Sequence, residues 1–178
     1  MIATMEKSPF RNMFSPPQKP AAALGPSNAD CVDAEMQFKL GLKFAGGTGA
    51  ALDYAQAAEQ NHFLAQFNLG MMYAHGQGVA RDSAQSRMWL DRAAQQGDAG
   101  AQFHLGNNCH RASFSQTAPD ASESRIEAYK WYRLAAAQGY QGSEMAHATL
   151  TLNMTRADVV AGNQRIAAFQ LGKPKPGG

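Results

Sequence analysis

The string AQFNLG at Ala65–Gly70 returns as AQFHLG at Ala101–Gly106, identical in five of six positions at an offset of 36 residues. A second string, WLDRAAQQG from Trp89 to Gly97, returns as WYRLAAAQG from Trp131 to Gly139, with five of nine positions identical at an offset of 42. Ala57, Ala58 and Gln60 stand 36 residues before Ala93, Ala94 and Gln96, and MQFKLG at Met36–Gly41 precedes AQFNLG by 29. A period of this size marks a stack of similar supersecondary units, each of which contacts mainly its neighbours. The first unit is seven residues short and the third is six residues long, the excess falling around Pro119.

Each half-unit has the period of a helix. Ala65, Leu69, Met72 and Tyr73 fall at i, i+4, i+7 and i+8, one apolar face. In the next half Ala84, Met88, Trp89, Ala93 and Ala94 form a comparable stripe, preceded by Asp82 as N-cap. Asn61, Gly97 and Gly139 follow three successive second helices, where a left-handed residue ends a helix. Gly76, Gln77 and Gly78 supply the turn inside the hairpin, as Gly46, Gly47 and Gly49 do in the short unit. Recurring small residues, Gly70 and Gly106 among them, let paired helices approach closely, and Tyr73, Trp89 and Trp131 fill the spaces between layers. One hairpin cannot cover its own apolar face, whereas stacked hairpins can. The sequence therefore predicts an all-α, right-handed α-solenoid of about four helix-turn-helix repeats, the outer two degenerate. Thr155 and Asp158 open a further helix over Met154–Phe169 in a capping-box arrangement, with Val159, Val160, Ile166 and Phe169 on its apolar stripe, and this segment is expected to cap the open end of the stack.

Composition agrees, with 33 Ala and 15 Gln against only 7 Val plus Ile, a balance that favours helices over sheets. Seven of the eight prolines lie before residue 27 or after residue 173. They predict a disordered leader at 1–29, a repeat domain at 30–171 and a flexible tail at 172–178. The net charge of +2 comes from the two ends, since residues 30–172 carry 11 basic and 13 acidic residues. That middle lacks the concentrated basic surface that phosphate binding requires, so no nucleic-acid partner is expected. No apolar run is long enough to cross a bilayer, and no secretory signal opens the chain, which points to a cytoplasmic location without a membrane partner. Cys31 and Cys109 are too few for a disulfide framework and read as free thiols.

The unit Ala65–Gly100 closely resembles the Sel1-like repeat, a relative of the tetratricopeptide repeat with a period near 36. The resemblance rests on Ala65, Leu69, Gly70, Tyr73, Gly76, Gly78, Val79, Asp82, Trp89, Ala93, Ala94, Gln96 and Gly97. It extends well over Ala101–Gly142 and partly over 33–61 and 143–170, while Cys109–Ser122 replaces the Gly-x-Gly-Val turn and interrupts or extends the concave surface there. The resemblance implies a scaffold or adaptor whose concave groove, lined by the first helix of each pair, holds a partner protein or peptide. First-helix side chains alternating with the core positions are Gln37, Lys39, Gln66, Asn68, Met71, Gln102, His104 and Asn107, the expected partner-binding set.

Nothing in the sequence assembles catalytic chemistry. His104, Cys109 and His110 have no zinc spacing, and a helix sets His104 about 140° from Cys109. Glu123 and Glu127 read as a solvated helical face, and Gly46, Gly47 and Gly49 follow no strand and do not form a phosphate loop. No catalytic residue, cofactor or metal is expected. The alternatives are a self-assembling structural or regulatory subunit and, less favoured, a metal-dependent hydrolase carried on the solenoid.

Overall fold

The protein's structure, a computed structural model, describes residues 34–36, 38, 39, 41, 48–115 and 121–172. The expected leader, Cys31, Gln37, the turn glycines Gly46 and Gly47, Pro119 and the tail beyond Gly172 lie outside the described residues. Every described element is helical: α1 Thr48–Glu59, α2 Phe63–His75, α3 Ser83–Gln96, α4 Ala99–Ala112, α5 Ala121–Ala137, α6 Ser143–Thr151 and α7 Arg156–Leu171. Residues 34–36, 38, 39 and 41 are also helical and stand before α1 as the first half of the short unit.

Local chemistry sets the helix ends. Asp82 is extended and its carboxylate accepts from the amides of Ala84 and Gln85, which starts α3. Gly97, at φ 107°, returns its amide to Ala93 and Ala94 and stops it. Asn61 and Gly139, the equivalent stops, also have positive φ, at 69° and 71°. The buried side of α2 carries the expected Ala65, Leu69, Met72 and Tyr73. On α3 the buried set is Ser86, Trp89, Leu90, Ala93 and Ala94, so the stripe is rotated from the expected one. Ala84 is exposed and Met88 only half-buried. The reason is registry, since Ser86, Trp89, Leu90, Ala93 and Ala94 keep the i, i+3, i+4, i+7, i+8 spacing that Ala84 does not share.

Packing follows chain order. The helices in substantial contact are α1 with α2, α2 with α3, α3 with α4, α4 with α5, α5 with α6, and α5 with α7. The core accordingly falls into two successive clusters. One runs from Ala50 to Trp89 and the other from Leu90 to Leu150. Among the described residues every substantial contact joins helices one or two apart in chain order, and the architecture is an α-solenoid. Helices cross closely where glycine faces a large side chain. A methyl group on Gly70 would come 2.9 Å from Leu90 Cγ, and one on Gly106 would come 2.5 Å from Tyr132 Cδ1.

The C-terminal helix α7 opens on the expected capping box, Thr155 accepting from the Asp158 amide and Asp158 accepting from the Thr155 amide. It lies on α5. Arg165 reaches Glu127 at 2.6 Å and Glu123 at 2.5 Å, the Ser122 hydroxyl donates to Asp158 at 2.7 Å, and Phe169 meets Trp131 edge-on at 5.6 Å. Val159, Ile166 and Phe169 pack on the core, while Val160 is exposed.

Candidate interaction face

Two of the eight expected partner-binding residues are in the interior. Gln66 and Gln102 are each 1% exposed. The Gln66 amide donates to the Ala58 carbonyl at 3.0 Å, and the Gln102 amide donates to the Ala94 carbonyl at 3.2 Å. These carbonyls belong to the last turn of the preceding second helix, where intrahelical donors run out. Each glutamine then accepts from the glutamine that ends its own hairpin, Gln96 to Gln66 at 2.7 Å and Gln138 to Gln102 at 2.9 Å. The outcome is a chain of polar links that ties one repeat to the next. Burial takes both residues off the accessible surface, and a buried amide is held there because both its ends are satisfied.

The remaining described candidates stay at least partly accessible. Lys39 is exposed and pairs with Glu35 at 3.3 Å. Asn68 is half-buried and hydrogen-bonds the Tyr54 hydroxyl, and Asn107 accepts from the Tyr132 hydroxyl at 2.8 Å. Met71 packs its inner side on the core. His104 sits between Phe67 and Phe103, with ring centroids at 5.9 and 6.0 Å. On α2 and α4 the rows Leu64, Asn68, Met71, His75 and Gly100, His104, Asn107, Arg111 are equivalent at the 36-residue offset and spaced to share one helical face.

Sequence reasoning missed the aromatic and aliphatic part of this face. Phe63 and Leu64 are 42% and 37% exposed at the start of α2, and Phe67 and Phe103 are half-buried. The repeated Phe of the two AQF strings was a signal for it, since large apolar side chains recurring outside the core stripe have to lie at its rim. Among the described residues no three or more His, Cys, Asp or Glu side chains are grouped so as to hold a metal. Cys109 is buried, and burial pushes its thiol up, away from the reactive thiolate. No helix among the described residues is long and apolar enough to cross a membrane.

Burial holds three first-helix imidazoles below the usual histidine range. At His104 the neighbouring His75 adds to that effect and Asp98 opposes it; His110 responds to burial alone; at His147 Arg133 adds to burial. The fold therefore favours the neutral rings, and the unfolded chain takes up protons first as pH falls through about 6.5. The stability tied to these rings is complete above that pH and is lost as pH drops through the lowered folded values. Urea unfolding followed by circular dichroism should accordingly show a falling midpoint between about pH 7.5 and about pH 5.5. A His104→Gln, His110→Gln, His147→Gln variant should flatten that slope, and an unchanged slope would refute the assignment.

Among curated protein sequences none matches this chain. The chain is similar to the solved structure of a protective antigen present in uropathogenic Escherichia coli strains that displays an SLR fold. That likeness has a TM-score of 0.64 at 21% identity and covers 84% of this chain and 35% of the antigen, so the present chain spans about a third of the antigen's length. At that identity it speaks for the fold alone. A Sel1 repeat protein from Oxalobacter formigenes is 34% identical, with a TM-score of 0.58, over 68% of this chain and 92% of that one. The Sel1 repeat itself matches residues 64–98 and 99–140, which are the hairpins α2–α3 and α4–α5. Two tandem matches on two stacked hairpins, with a relative of this identity covered over nearly its whole length, place the chain in the Sel1 repeat family.

Proposed function

We propose that the protein is a non-enzymatic interaction scaffold, acting in the cytoplasm, that holds a partner protein or peptide against the first-helix face of its repeats. Proteins of this family generally mediate protein–protein interaction. One observation carries the reading. In the two clearest repeats the buried framework residues are the same, Ala, Gln, Leu and Gly, while the outward row changes from Asn68, Met71 and His75 to His104, Asn107 and Arg111. A constant frame with variable outward positions is how a solenoid presents a surface at little ordering cost.

Photo-crosslinking groups placed at Met71 and at His104 should join the protein to one discrete partner in native extract, whereas a group at exposed Gln95 on α3 should not. Replacing Asn68, Met71 and His104 together is expected to abolish that capture with the circular dichroism spectrum retained. Because Asn68 also bonds Tyr54, the melting temperature has to be followed in the same variant. Capture that survives all three replacements in a folded protein would refute the face.

A further inference from the structure

All five histidines of the chain stand on the first-helix layer: His62 as the N-cap of α2, His75 in its last turn, His104 and His110 on α4, and His147 on α6. Helices α2 and α4 contain no Asp or Glu at all, and α4 adds Arg111. The nearby carboxylates are already engaged. Glu35 pairs with Lys39 and His62, and Asp98 accepts from the Ala101 amide at the start of α4. His104 is half-buried beside Phe67 and Phe103, and its ring nitrogens make no hydrogen bond among the described residues. The half-buried His104 ring, flanked by aromatic rings, therefore keeps its nitrogens open to solvent and to an incoming group. His75 is close enough to affect it electrostatically. Exposed Arg111 lies seven residues beyond His104, two turns further along the same face.

We propose that this face receives an acidic peptide segment of another protein, a carboxylate meeting His104, His75 and Arg111 while an aromatic or aliphatic side chain packs on Phe67, Met71 and Phe103. The inference rests on the scaffold reading above and adds the chemistry of the partner. The chain's own ends do not fit the part, since residues 1–29 and 173–178 each carry a net charge of +2. The charged groups felt by His104 are His75, from α2, and Asp98, at the start of its own helix. An incoming carboxylate would act against burial and the repulsion from His75, which together hold the His104 ring neutral, and would favour the imidazolium, so acidification strengthens the contact as long as the peptide's Glu side chains, with ordinary values near 4.3, remain ionised.

The test uses the full chain and three fluorescein-labelled peptides of equal length, each with two Phe residues in a background of Glu, Ser or Lys. Fluorescence anisotropy should give at least about tenfold tighter binding for the Glu peptide than for the Ser peptide, and none for the Lys peptide. Binding of the Glu peptide should tighten from about pH 7.5 to about pH 6 and weaken as salt rises. The surface variant His75→Gln, Arg111→Gln should weaken the Glu peptide about tenfold and leave the Ser peptide unchanged. His104→Gln should reduce the pH dependence, and His104→Gln with His75→Gln should remove it. Equal binding of the Ser or Lys peptide, lost when Met71 and His104 are replaced, would refute the acidic partner and leave the scaffold face standing. Binding of the Glu peptide that ignores His75→Gln, Arg111→Gln, or no binding of any peptide, would overturn the proposal. The scaffold reading fails separately, by its own crosslinking experiment.

Discussion

Tyr132→Ala is expected to cost about 3–5 kcal/mol, a loss that falls on the hairpin α4–α5 and the helices stacked on it. Tyr132 is 1% exposed. Its ring covers Gly106, lies 5.8 Å from Phe103 and 6.1 Å from His110, and carries a hydroxyl that donates to Asn107 at 2.8 Å. Truncation therefore opens a cavity where two helices meet, and those helices relax only in part because the rest of the layer holds them. Against a total stability of about 5–15 kcal/mol for a domain, a loss of this size is decisive. Tyr132→Phe separates packing from hydrogen bonding. It removes only the hydroxyl, and half-buried Asn107 can turn to solvent, so about 1 kcal/mol should be lost. Burial pushes the phenol up to about 12, so the stability linked to the neutral hydroxyl is present below about pH 10 and fades as pH rises towards 12. The Phe variant should show a smaller alkaline loss, the remainder belonging to Tyr54, Tyr73 and Cys109, which burial also pushes up. Urea titrations read by circular dichroism, with hydrogen exchange to locate the loss, check all three statements. Equal destabilisation by Phe and by Ala would assign the role to the hydroxyl and refute the packing account.

Features that depend on neighbours in sequence were legible before any coordinates. Asp82, Asn61, Gly97, Gly139 and the Thr155–Asp158 box act within one helical turn, and each does what its residue type dictates. The stack was legible because the repeat is a pattern in the chain. Residues whose role is set by another repeat were misjudged. Gln66 and Gln102 are polar and lie on first helices, so hydropathy assigns them to the surface. Their partners, Ala58 with Gln96 and Ala94 with Gln138, come from two other segments each. The overlooked signal was their identity in both strings. Side chains of the outward row differ between repeats, as Asn68 and His104 do, whereas a residue that returns unchanged among Ala, Leu and Gly belongs to the frame. The bond between Asn68 and Tyr54, and the docking of α7 on α5 through Arg165, join positions with no internal repeat to reveal them.

Gly106→Val should destabilise the protein by about 3 kcal/mol, the upper part of the range for overpacking. Helix propensity alone points the other way, since almost any residue is a better helix former than glycine, by up to about 1 kcal/mol. Space decides the sign. A first carbon on Gly106 would already stand 2.5 Å from Cδ1 of a ring that is fully buried, and valine adds two more. At Gly100 the nearest atoms are Cε2 and Cζ of Phe67, at 3.1 Å, and that half-buried ring can swing outward. Gly100→Ala should therefore be neutral or stabilising by about 0.5 kcal/mol. The two glycines lie six residues apart on one helix, so the opposite signs separate steric contact from backbone entropy. A double-mutant cycle sharpens the test. In the Tyr132→Ala background the space beside position 106 is empty, and Gly106→Val should cost far less than it does alone, giving a coupling of about 2 kcal/mol or more. Additive losses would mean that Gly106 is required for a reason other than its contact with Tyr132.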